Sequence, residues 1–83
     1  MITVKFFSMV REALNIGEMQ CEVAEHTTVA DLKAQLIEAN GAHWAEVLNQ
    51  PNIVHALNQV VVHPDASLND GDEVAFFPPM TGG

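Results

Sequence analysis

The sequence predicts an α+β fold: a mixed sheet of about five strands with one main helix packed across one face. Three observations point there. ITVKFF at 2–7 and EVAFF at 73–77 are short and rich in β-branched and aromatic residues, the composition of strands. Between them, VADLKAQLIEA at 29–39 repeats its apolar residues at helical spacing. The other apolar stretches are brief and separated by Asn, Gly and Pro.

The first strand alternates, with Ile2, Val4 and Phe6 on one face and Thr3, Lys5 and Phe7 on the other. SMVREALNIGE then breaks the alternation and holds Asn15 and Gly17, which predicts a connection with room for a helical turn. Alternation returns in MQCEV at 19–23, placing Met19, Cys21 and Val23 inward and completing a first hairpin. Thr28 stands where a helix N-cap belongs. Asp31 follows in a capping-box-like position, and its carboxylate suits the positive end of the helix dipole. Val29, Leu32, Leu36 and Ala39 form the apolar stripe of this main helix, and Asn40-Gly41 supplies the left-handed geometry that ends it. A shorter helix is expected over HWAEVLN at 43–49, stopped by Pro51.

IVHAL at 53–57 and VVV at 60–62 read as strands parted by a turn or bulge at Asn58-Gln59, and LNDGDE at 68–73 as a turn centred on Asp70-Gly71. The near-continuous apolar run of EVAFF predicts a central strand, buried on both faces and paired in parallel. The equally hydrophobic first strand is its natural neighbour.

Composition excludes several classes of function. A chain of 83 residues holds one domain and a modest core, too small for a deep multi-residue catalytic pocket. Three Lys and Arg residues stand against eleven carboxylates, for a formal net charge of −8. Nucleic acid is disfavoured and a partner with a basic surface is favoured. No apolar run approaches the roughly 18 residues of a membrane helix, and no signal peptide is recognisable, so a cytoplasmic location is expected. Cys21 is the single cysteine and reads as a structural thiol; His26, His43, His55 and His63 lack metal-ligand spacing. Asp70, Asp72 and Glu73 flank a turn glycine and read as a solvated hairpin, and Trp44 as a packing residue over one end of the core.

The ending is the unusual part. Pro78 and Pro79 fix φ and remove two donors, so the ladder of the last strand cannot continue past Phe77 and an extended tail, 78–83, is expected beyond a 1–77 domain. Fully extended, Pro78, Pro79, Met80, Thr81, Gly82 and Gly83 reach roughly 20 Å. Gly82 and Gly83 carry no side chain and fit a channel too narrow for a Cβ. The terminal carboxylate is an anion near neutral pH and a poor acyl electrophile, so it needs activation, as by adenylation, before a sulfur or amine nucleophile can attack it.

ITVKFFSMVRE at the start, LNQVVV at 57–62 and above all DGDEVAFFPPMTGG at 70–83 resemble the small subunits of molybdopterin synthase. The resemblance spans the chain and implies a ubiquitin-like β-grasp fold. It further implies that Gly83 is adenylated by a ubiquitin-activating-like adenylyltransferase using ATP, then converted to a thiocarboxylate. The tail would thread into a large synthase subunit, in a heterotetramer of paired small and large subunits. There it would donate sulfur to precursor Z to build the dithiolene that later holds molybdenum. On this reading the chain is a non-catalytic, sulfur-donating subunit with no bound cofactor, and the catalytic residues lie on the large subunit. Phe7, Val61 and Phe77 resemble the family's apolar docking surface, the alternative being ordinary core residues, and Arg11 matches a family arginine, either pairing with a partner carboxylate or standing as a solvated loop cation. The alternative is a ubiquitin-like protein modifier conjugated through Gly83.

Overall fold

The computed structural model describes residues 1–79. In chain order the elements are β1 (Ile2–Phe6), α1 (Ser8–Leu14), β2 (Glu18–Cys21), α2 (Val29–Asn40), α3 (Ala42–Leu48), β3 (Val54–Leu57), β4 (Val60–Val61) and β5 (Glu73–Phe77). They form one five-stranded sheet in the order β2-β1-β5-β3-β4. β1 and β5 pair in parallel at its centre, and the other pairs are antiparallel. The expected central pair and mixed sheet are therefore present.

Alternation decides which face the helices cover. Ile2, Val4 and Phe6 of β1 and Val74 and Phe76 of β5 are almost fully buried, together with Val29, Leu32 and Leu36 of α2 and Val47 and Leu48 of α3. Phe6 is the hub: its ring stacks on Phe76 at 6.0 Å and meets Trp44 edge-on at 5.5 Å. Trp44 thus covers one end of the core, as expected. The capping box of α2 is complete, with Asp31 N–H donating to the Thr28 hydroxyl and Thr28 N–H to the Asp31 carboxylate, both at 3.1 Å. Gly41 closes α2 at φ 94°, a conformation that a side chain would strain.

Four details differ from the sequence reading. The connection after β1 is a seven-residue helix, α1, and not a single turn; Val10 and Leu14, four residues apart, are buried, and Asn15 ends the helix in the left-handed region. An exposed Met9 beside Val10 obscures that short stripe. Because α1 intervenes, β1 and β2 pair antiparallel without forming a tight hairpin. Ala39 is exposed, since the stripe of α2 runs on through the half-buried Ile37 instead. Finally, Val74, Ala75 and Phe76 are all buried, yet helices cover only one side of β5. The other side is the open face of the sheet.

Candidate functional site

One rung of the open face builds the site. Lys5 lies in register with Ala75, Ala75 with Ala56, and Ala56 with Val61, a row crossing β1, β5, β3 and β4. The two central members are alanines, so the row dips between larger neighbours. Both are hidden, at 7% and 4% exposure, although no helix lies over them. Phe7, Ser8, Phe77 and Pro78 wall one side and Gln59 and Glu73 complete the rim, enclosing a groove of about 470 Å3.

Phe7, Val61 and Phe77, singled out from sequence, all line this groove. Phe7 is 44% exposed and Val61 65%, while Phe77 is half-buried. Exposed apolar side chains gathered around one concavity mark a contact surface more strongly than scattered ones. Local structure explains the pose of Phe7. β1 stops at Phe6, and Phe7 becomes the N-cap of α1, with its N–H donating to Phe76 O at 3.1 Å and its carbonyl accepting from Val10 N–H at 3.2 Å. Phenylalanine offers no side-chain cap, and the next residue, Ser8, sits at φ 53°. A local preference is thus overridden where an aromatic ring faces outward.

Charge is arranged at the rim. Lys5 pairs with Glu73 at 3.3 Å and Glu18 at 4.0 Å, so its ammonium is met within the chain. Arg11 is exposed and occupies an adjoining notch of about 390 Å3 with Lys5, Phe6, Phe7, Gly17 and Glu18. Phe7 and Lys5 border both concavities. Among the described residues no carboxylate lies within ion-pair distance of Arg11.

Pro78 is half-buried on the groove wall and Pro79 is exposed. Met80, Thr81, Gly82 and Gly83 lie outside the described residues. Sequence reasoning missed the alanine floor, Ser8 and Gln59. Strand parity carried a signal for Ala56 and Ala75, since small residues at outward positions beside large ones leave a depression. Gln59 gave none, because its place depends on the turn at Asn58-Gln59, where both residues have positive φ.

The remaining titratable groups have structural settings. Cys21 is half-buried against the core, and desolvation pushes its thiol above the ordinary value. His43 Nε2 lies 2.7 Å from Ala13 O, tying α3 to the end of α1. His55, in register with Phe76, has its Nε2 buried without a partner; burial first, then Lys33, holds its pKa below the usual imidazole value. Among the described residues no three His, Cys, Asp or Glu gather as a metal-binding group, and no helix is long and apolar enough to cross a membrane.

Comparison with known proteins places this geometry. The chain is 43% identical to the molybdopterin synthase sulfur carrier subunit of Escherichia coli over 83 residues, the whole of both chains. Its fold matches the putative molybdopterin converting factor subunit 1 of Pyrococcus furiosus with a TM-score of 0.80 at 25% identity, over 95% of this chain and 97% of that one. It also matches a chain of the protein-protein complex of subunits 1 and 2 of the molybdopterin-converting factor from Helicobacter pylori, with a TM-score of 0.70 at 24% identity, over 99% and 97% of the two chains. The fold is the ubiquitin-like β-grasp that the sequence resemblance implied. The family model that matches covers residues 4–83, and the chain belongs to the ThiS family.

Proposed function

We propose that this chain is the sulfur carrier and small subunit of a molybdopterin synthase. The observation that carries the reading is the 43% identity, end to end, with the sulfur carrier subunit of Escherichia coli. The apolar groove running to Pro78 supports it, because a carrier must dock while presenting its terminus to another protein's active site.

On this reading the Gly83 carboxylate attacks the α-phosphorus of ATP on an adenylyltransferase and releases pyrophosphate. Sulfide at the acyl carbon displaces AMP and leaves a thiocarboxylate; a persulfide does so once a thiol reduces the S–S bond of the acyl disulfide that results. The tail enters a large subunit, which supplies the catalytic groups, and sulfur passes to precursor Z. Groove residues Phe7, Val61 and Phe77 make the apolar contact, and Arg11 meets a carboxylate at its edge. Pro78 and Pro79 hold the exit of the tail extended, and Met80, Thr81 and Gly82 occupy the channel.

Intact-mass measurement tests the reading. Incubation with the adenylyltransferase, ATP and a sulfur source is expected to exchange one oxygen for sulfur at Gly83, and removal of Gly83 to abolish that exchange while leaving the unfolding transition in place. An unchanged mass in the full-length chain refutes sulfur carriage. Lysine conjugates that persist without pterin synthesis would support the modifier reading instead.

A further inference from the structure

We propose that Gly17 is a positioning residue: the lack of a side chain there seats the Arg11 guanidinium against the start of β2, beside Phe7, aimed at a carboxylate on the docking partner. This rests on the docking reading above and adds to it the element that orients the charge.

Gly17 does not have the backbone reason for being glycine that Gly41 and Gly71 have. Those two sit at φ 94° and 90°, whereas Gly17 is not among the positive-φ positions and its conformation is open to alanine. What a side chain there would meet is Arg11. A Cβ on Gly17 would stand 3.0 Å from Arg11 Nε and 3.2 Å from its Cζ, tighter than ordinary packing. The backbone at Gly17 has little freedom to withdraw, because its carbonyl accepts from Phe6 N–H at 3.0 Å. The Arg11 guanidinium would therefore have to shift by a few tenths of an ångström from its place.

The occupant follows from what surrounds the guanidinium. Lys5, the other cation of the notch, is already engaged by Glu73 and Glu18, and no carboxylate of the described residues pairs with Arg11. A planar guanidinium held on a backbone surface is prepared for a two-point carboxylate contact. The exposed Phe7 ring alongside it requires an apolar neighbour, which a protein surface supplies. The net charge of −8 argues against a polyanionic partner such as nucleic acid.

The experiment is a double-mutant cycle of Gly17→Ala and Arg11→Ala, read by binding to the large subunit and by NMR of the free chain. The parent is expected to give a cross-peak between the Arg11 Nε–H and the Gly17 Hα protons, lost in Gly17→Ala. Gly17→Ala should bind about fivefold more weakly, with a flatter salt dependence and no loss of thermal stability, and should cost nothing further once Arg11 is alanine. A missing cross-peak in the parent overturns the seat, and equal losses in both Arg11 backgrounds overturn the coupling. Failure of the parent to bind the large subunit at all removes the docking reading and this inference with it, a result distinct from either.

Discussion

Two grooves of this small protein have nearly the same volume and different surface chemistry. One, of about 480 Å3, lies at the end where β1 and β5 begin, between Met1, the 23–26 segment and the 67–70 segment. The other, of about 470 Å3, lies on the open sheet face and runs to where β5 ends at Pro78. In the first, several polar groups pair within the chain. The terminal amine of Met1 pairs with Asp70, Gly71 N–H donates to Met1 O, and Leu68 N–H donates to Thr27 O. In the second, Phe7, Val61 and Phe77 stand around two buried alanines with apolar surface left uncovered. Size therefore says little about which concavity is used. The one whose surface chemistry is incomplete within the chain is the one that gains by meeting another protein.

The sharpest test uses neighbours in sequence. Phe6→Ala empties the hub of the core and is expected to lower unfolding stability by about 3–5 kcal/mol. Phe7→Asp, one residue on, should shift stability by no more than about 0.5 kcal/mol, because an aspartate at that N-cap position can accept from the first turn of α1. It should weaken binding to the large subunit by about 2 kcal/mol. Equal effects of Phe7→Asp on stability and binding would remove the distinction between the grooves.

At the polar end the pattern should invert. Thr28→Ala breaks the capping box of α2 and is expected to lower stability by about 1 kcal/mol in denaturant unfolding, with binding to the large subunit unchanged. The smallest effect is reserved for Asp70→Asn. The hydrogen bond with the terminal amine holds the Asp70 carboxyl below its usual range, and the same bond raises the amine above its own. The carboxylate's contribution is present above the ordinary Asp value and is lost as pH falls through the lowered one. The amine's contribution is present below its ordinary value and is lost as pH rises through the raised one. Denaturant unfolding of Asp70→Asn should be flatter against pH on both flanks, and both groups are exposed, so the change is slight.

How much of this was legible in the sequence depended on range. The capping box at Thr28 and Asp31, the alternation of ITVKF and the turn at Asn58-Gln59 rest on residues within a few positions of one another, and each stands in the structure as read. Helix α1 was under-read because only Val10 and Leu14 of its seven residues are buried, too short a stripe to separate from a turn. The parity that exposes Phe7 and Val61 was also local. That they share a groove was not.

The sequence by itself determined the strand faces, the main helix and a side-chain-free ending, because backbone periodicity and the steric limits of Pro and Gly act over a few residues. Tertiary structure alone decided that Lys5, Ala75, Ala56 and Val61 form one row and that Arg11 lies over Gly17. Those contacts join residues brought together by strand order and register, and a register shifted by one residue would have turned the same side chains to the opposite face.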